Sequence, residues 1–240
     1  MKRIGIVAAL KREIKYLLGD LKEGKPLGKG ASFHHPVYEG EINGRDIVAV
    51  VSGVGKKGSE RAARLLIESY GPDMIITAGY AGSLTPDLVV GDIVVYSRAL
   101  SESGENVDFI ESEPAVSSDF GRKGTILTVD RFIGSVGEKR ELGVRMGAHI
   151  VDMESLYIGR IAVDRGLPCL GIRVISDDLR MEIPSLSGLL NSEGEVEIVR
   201  AVRFFVSHPG RIAPLLIFLY NIRRTTLILD RCIRKSLSLL

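Results

Sequence analysis

Pro168-Cys169-Leu170-Gly171-Ile172-Arg173-Val174-Ile175-Ser176-Asp177-Asp178 is the stretch on which the fold turns. Its apolar part, Cys169 to Ile175, has the length of a strand and is bounded by a proline and by polar residues. A short, nearly continuous apolar run of this kind reads as a strand buried on both faces, as in the parallel sheets of α/β proteins. In such folds ligands sit at the carboxyl ends of the strands. Here Ser176 starts a loop, so Ser-Asp-Asp places carboxylates at the mouth of the sheet. A carboxyl desolvated in that position can hold or share a proton near neutral pH. The plainer reading, that Ser176 or Asp177 caps the following segment, stands beside it.

Working outward, His149 to Asp152 reads as another strand and Met153 to Arg165 as a helix, preceded by a helix near Glu138 to Met146. Gly124 to Val129 and Val89 to Ser97 are further strands, and Met74 to Ala78 is a buried strand running into a tight glycine turn, Gly79-Tyr80-Ala81-Gly82. Asn43-Gly44 is a turn signal between strands Val37 to Ile42 and Asp46 to Ser52. Gly53-Val54-Gly55 opens a helix that runs to Tyr70 and is broken by Pro72. At the start, Arg3 to Ala9 is a strand followed by a short amphipathic helix from about Lys11 to Leu18. This alternation predicts a single α/β domain, a mixed or mainly parallel central sheet flanked by helices.

A chain of 240 residues suits one such domain and can bury roughly 70–75% of its unfolded surface without staples. Cys169 and Cys232 are far apart and match no disulfide or metal spacing; Cys169 reads as a core thiol, which fits a reducing compartment. Lys11, Arg12 and Glu13 interrupt the apolar start before any cleavage-site pattern, and no run of 18 apolar residues exists. A cytoplasmic location is the expectation. The net charge of +2 hides an asymmetry, because residues 201–240 hold seven Arg or Lys and a single Asp, whereas the first 200 sum to −4. The body therefore does not look like a nucleic-acid binder, and the tail needs its own account. We accordingly divide the chain into residues 1–200 and a basic helical tail, 201–240.

Val151-Asp152-Met153-Glu154-Ser155 is a second strand end running into a helix. Glu154 there is either a first-turn acid favoured by the helix dipole or an acceptor for vicinal ribose hydroxyls. Glu13 by position alone reads as a solvated surface residue. The glycine segment at 79–82 allows close backbone approach to a ligand or merely a bend, and Gly53-x-Gly55 lacks the full dinucleotide or P-loop fingerprint. His34, His35, His149 and His208 show no paired ligand spacing beyond the adjacent first two, so no metal site is expected.

In order, these features resemble one family. A first strand followed by Glu13, then GVGK (53–56), GYAGSL (79–84), VVGDIVV (89–95), VDRFIGSVGE (129–138), VDMES (151–155) and RVISDD (173–178) resemble the purine nucleoside phosphorylase/nucleosidase superfamily. The likeness covers about residues 2–182 and is greatest to the methylthioadenosine/S-adenosylhomocysteine nucleosidase branch; VDMES with RVISD is its specific part. The resemblance implies that Asp177 protonates purine N7, with Ser176 orienting its carboxyl. It implies that Glu154, with Met153 beside it, accepts the ribose hydroxyls, and that Phe132 and Ile133 stack on the purine and read its edge. Glu13 would activate the attacking water, with Arg173 nearby. Tyr80, Ala81 and Gly82 would line the substrate site. No cofactor is implied, and a homo-oligomer, a dimer favoured, is expected. One departure matters: where nucleosidases usually carry G-S-A-G-G, this chain has Tyr80 in place of the serine and Ser83 in place of the last glycine.

The tail reads as a basic amphipathic helix. Leu215, Leu216, Leu219, Ile222, Leu229 and Ile233 approximate one stripe, interleaved with Arg223, Arg224, Arg231, Arg234 and Lys235. Packing on the body or on a second subunit is the first reading of such a helix, and peripheral contact with anionic lipid is the alternative. The run from Arg203 to Leu216 (RFFVSHPGRIAPLL) resembles the hopanoid-associated phosphorylase branch, which implies an adenine nucleoside with a very large apolar 5′ substituent. The expected activity is cleavage of the N-glycosidic bond of a purine nucleoside, adenine expected as the base, by water. Phosphorolysis, with Arg98, Arg131 or Lys56 as phosphate ligands, is the alternative within the class. A catalytically idle nucleoside-binding or membrane-associated protein of the same fold is the alternative outside it.

Overall fold

Strand β5 (Met74–Ser83) organises the molecule, because three strands pair with it. Strand β12 (Cys169–Asp177) runs parallel along one edge; the other edge is shared by β1 (Arg3–Ala8), parallel at Met74–Thr77, and β11 (Ile150–Asp152), antiparallel at Gly82 and Ser83. Beyond β1 lie β4 (Arg45–Val51), β3 (Val37–Ile42) and β2 (Lys22–Glu23), and beyond β11 lie β10 (Ile126–Thr128), β7 (Arg98–Ser101) and β8 (Asn106–Asp108). Past β12 come β6 (Ile93–Tyr96) and β9 (Arg122–Lys123), so the mixed sheet has twelve strands among the described residues. The computed structural model describes residues 3–24, 35–111, 121–180, 182–183 and 212–240. The beginning of the tail, 201–211, lies outside them.

The pleat sorts the apolar side chains onto two faces. Ile4, Ile6, Ile76, Ala78, Ile172 and Val174 point to a core covered by α1 (Lys15–Leu18) and α5 (Ile212–Leu239). Val7, Ile75, Ala81 and Ile175 point the other way, under α2 (Lys56–Tyr70) and α4 (Ser155–Asp164). Burial on both faces is why these strands read as unbroken apolar runs instead of alternating ones. Helix α2 follows the positive-φ Gly53 and Gly55 and ends at Gly71 in the left-handed conformation, whose N–H bonds Ile67 O. A shorter third helix, α3 (Val136–Met146), follows β10.

Among the departures from expectation, α1 starts at Lys15 instead of Lys11, β6 covers only Ile93–Tyr96 of the expected 89–97 strand, and two further segments reshape the sheet end. Residues 79–82 are strand, not turn: Gly79, Tyr80 and Ala81 pair with Arg173, Val174 and Ile175, and neither Gly79 nor Gly82 has positive φ. Strand β12 also runs two residues past Ile175, with a register shift between Ile175 and Asp177. The added pairing with β5 holds Ser176 and Asp177 at the sheet end instead of releasing them into a loop.

Helix α5 packs on the body. Leu229, Cys232, Ile233 and Leu237 are buried in the core that contains β1, β5 and β12. Leu216, Ile217, Tyr220 and Leu227 stay exposed beside Arg223, Arg224 and Arg231, so a basic and apolar strip remains on the outer side. No helix among the described residues is long and apolar enough to cross a membrane. Ile233 has no solvent exposure, so Ile233→Ala should cost about 2–5 kcal/mol of stability. Urea unfolding measures it; a loss well below that range would show that the helix is not part of the core.

Candidate active site

The carboxyl ends of β5, β11 and β12, the segment after β1 and the segment after β10 surround a cavity of about 670 Å3, within the usual range of small-molecule sites. Glu13, Tyr80, Ala81, Gly82, Phe132, Ile133, Met153, Glu154, Ser176 and Asp177 all line it. Of the residues expected at the site, Arg173 alone does not.

Asp177 is buried at the end of β12. Its Oδ1 accepts the Ser176 hydroxyl at 2.6 Å, and its Oδ2 pairs with the ammonium of Lys139 from α3. The backbone-capping task expected of Ser176 or Asp177 falls instead to Asp178. Its carboxylate accepts the N–H groups of Val90 (3.2 Å) and Arg180 (2.9 Å), leaving Asp177 to face the cavity.

Glu13 is not a surface residue: only 4% of it is exposed. The chain turns after β1 so that Oε2 accepts the Leu10 N–H at 2.8 Å, and Oε1 accepts the Tyr80 N–H at 3.0 Å. A Cβ on Gly79 would lie 2.6 Å from Oε1, and a Cβ on Gly82 would lie 3.0 Å from Asp177 Oδ2. Those glycines make room for two carboxylates. Burial pushes the Glu13 carboxyl above the ordinary glutamate range, partly offset by the Arg173 guanidinium and the backbone donors.

Glu154 occupies the N-cap position of α4 but does not cap it. Asp152 does so instead, accepting the Ser155 N–H at 3.0 Å. Glu154 is thereby released toward the cavity, where Oε1 accepts the Gly55 N–H at 2.7 Å. Gly55 earlier looked like half of a weak motif; its positive φ aims that N–H. Burial, then the nearby Asp152 carboxylate, push the Glu154 carboxyl well up.

Arg173 lies beneath the site. Odd-numbered residues of β12 face α4, so its guanidinium reaches Asp152 Oδ2 (2.8 Å), Ser155 Oγ (2.8 Å) and Thr77 Oγ1 (3.0 Å), all buried. Its charge acts on Glu13 and Glu154 from beneath. Tyr80, an even-numbered position of β5, faces the opposite way, and its hydroxyl bonds Thr226 Oγ1 of α5 at 2.5 Å. The phenol is thus committed to the helix that closes one end of the cavity with Phe218, Leu219 and Ile222. Burial and the Glu13 carboxylate keep the phenol protonated.

Sequence reasoning missed Lys139 and the α5 wall, and placed Asp152 at a strand end without its capping role. For Lys139 the signal was its place three residues before Leu142, on the inner stripe of α3. For the α5 wall it was the apolar spacing of Leu219 and Ile222, which gave no hint of what they would cover.

A family model described as "Phosphorylase superfamily" matches residues 3–122 and 117–185. Solved structures with the same fold include a Helicobacter pylori 5′-methylthioadenosine/S-adenosylhomocysteine nucleosidase, 21% identical, covering 100% of this chain and 99% of its own, with a TM-score of 0.75. The futalosine hydrolase of Helicobacter pylori is 20% identical, covers 100% and 98%, and has a TM-score of 0.74. An S-adenosylhomocysteine nucleosidase from Streptococcus pyogenes, solved with 5-methylthiotubericidin, is 20% identical, covers 99% and 96%, and has a TM-score of 0.74.

Proposed function

Because the chain belongs to the phosphorylase superfamily, we propose that it is an N-ribosyl hydrolase, cleaving the N-glycosidic bond of a purine nucleoside with water as the nucleophile. One observation carries the reading: Glu13, Glu154 and Asp177, each buried, converge on one cavity from three separate strand ends. Cleavage passes through an oxocarbenium-like ribosyl cation, which needs an acid at the base and negative charge at the sugar. Asp177 supplies the proton to N7 of the purine, with Ser176 orienting its carboxyl. Glu154 accepts the vicinal ribose hydroxyls, whose donated hydrogen bonds favour the ionised form that burial opposes. Glu13 takes the proton from the attacking water.

Adenine is the proposed base and an apolar group the proposed 5′ substituent. Phe132 and Ile133 offer apolar contact to a purine, and Phe218, Leu219 and Ile222, in one apolar cluster with Phe132, extend that wall. Water is favoured over phosphate because the Glu13 carboxylate in the cavity would repel an anion, and of the candidate phosphate ligands Arg131 alone lines the cavity. Arg131 pairs with Glu102 and Glu138, Arg98 lies 3.6 Å from Asp108, and the Lys56 ammonium sits 5.2 Å from the centre of the Tyr157 ring.

Adenine release from methylthioadenosine tests the reading. The expected products are adenine and a free reducing sugar, at a rate that added phosphate does not change. A ribose 1-phosphate as main product would replace hydrolysis by phosphorolysis; binding with no base release would leave an idle nucleoside-binding protein. The pH profile carries a second check. A base acts when ionised, and Glu13 is shifted upward. The acid limb of kcat/KM should therefore fall off above pH ~4.3, the ordinary glutamate value. A limb at the ordinary value would remove Glu13 as the base.

A further inference from the structure

Lys139 heads the large side chains with no solvent exposure, yet nothing in the mechanism above uses it. Its ammonium pairs with Asp177 Oδ2. Gly82 makes room for this pair, since a Cβ there would sit 3.0 Å from Asp177 Oδ2 and 3.5 Å from Lys139 Cε. Both carboxyl oxygens of Asp177 are thereby held by the protein, Oδ1 by the Ser176 hydroxyl and Oδ2 by Lys139. Asp177 lines the cavity and Lys139 does not, so the lysine stands behind the acid. Stability does not demand this arrangement, because a buried ion pair can often be replaced by apolar side chains at no net cost. What such a pair has that an apolar pair lacks is a transferable proton, shared between amine and carboxyl.

We propose that Lys139 is the positioning residue of the proton donor: it holds the Asp177 carboxyl toward the cavity and supplies the proton that Asp177 passes to the leaving base. The proposal rests on the glycosidase reading above. As the N9–C1′ bond breaks, its electron pair goes to the base. Asp177 gives a proton to N7 and receives one from Lys139 Nζ, which becomes a neutral amine. The water oxygen bonds C1′ and releases a proton to Glu13. Exchange with solvent then discharges Glu13 and recharges Lys139, so nucleoside and water give base and free sugar with no other reactant.

The test compares two leaving groups. Methylthioadenosine needs a proton on its base; 4-nitrophenyl β-D-ribofuranoside releases a phenolate that needs none. Lys139→Met should lower kcat on methylthioadenosine by about 10²-fold and leave nitrophenyl riboside hydrolysis nearly unchanged. Lys139→Arg keeps the charge, but a guanidinium does not give up its proton, so it should show the same selective loss. Should Lys139→Met fail to fold, the arginine variant carries the comparison. Equal losses on both substrates would assign Lys139 a purely structural role and overturn the proposal, as would full activity in Lys139→Met or full rescue by arginine. Wild-type protein inert toward both substrates would instead overturn the glycosidase reading, and this proposal with it.

Discussion

Asp177→Asn is expected to lower turnover of a purine nucleoside by about 10²–10⁴-fold, or about 3–5 kcal/mol of barrier, while the protein stays folded. The fold should survive, with some stability lost to the uncompensated Lys139 ammonium, because an amide oxygen can still accept from Lys139 and the Ser176 hydroxyl keeps an alternative acceptor in Ala81 O at 3.3 Å. The proton is lost, since an amide is not an acid at working pH. Asp178→Asn is the matched control: its carboxylate serves the N–H groups of Val90 and Arg180 and does not line the cavity. Steady-state rates together with circular dichroism decide the matter. Wild-type turnover in Asp177→Asn, or an equal loss in Asp178→Asn, would take Asp177 out of the mechanism.

Arg173→Met should produce the largest loss of stability, about 3–5 kcal/mol. The guanidinium is 3% exposed and bonds Asp152, Ser155, Thr77 and the Ile172 carbonyl. Removing it leaves the Asp152 carboxylate without its counter-ion in the core, although Thr128 Oγ1 at 2.8 Å still donates to it. The Asp152 cap on α4 is weakened as well, and with it the placement of Glu154. Urea unfolding of Arg173→Met against wild type reads the effect. A loss under about 1 kcal/mol, the scale of an exposed pair, would contradict the buried geometry. Arg173 does not line the cavity, so in the proposed reaction it acts from below, through its charge on Glu13 and Glu154, without touching substrate.

Where the sequence was legible, local physics dictated the pattern. A strand covered on both faces must be apolar throughout, so β1, the first half of β5 and β12 announced themselves. Charged residues at the ends of such strands have few places to go except the mouth of the sheet, which is how Asp177 and Glu154 could be singled out. The segment 79–82 misled because Gly-Tyr-Ala-Gly is turn composition by any local rule. Its real constraint is the approach of Glu13 to Gly79, 66 residues away along the chain, and of Asp177 to Gly82, 95 residues away. Lys139 was hidden because Glu138, Arg140 and Glu141 flank it, and a charge among charges reads as a solvated helix face.

By itself, then, the sequence determined which segments could be buried, their order, and which carboxylates stood at strand ends. Hydrophobic burial and backbone periodicity act on near neighbours, and one chain displays them directly. Tertiary structure alone decided the rest. Pairing of β5 with β12 turned a glycine stretch into strand, and the pleat sent Arg173 toward α4 and Tyr80 toward α5. The docking of α5 made a basic tail into core and cavity wall. Each of these outcomes depends on which surfaces meet across the fold. A buried charge is tolerable only where its partner waits, and the partner of Lys139 stands 38 residues further along the chain.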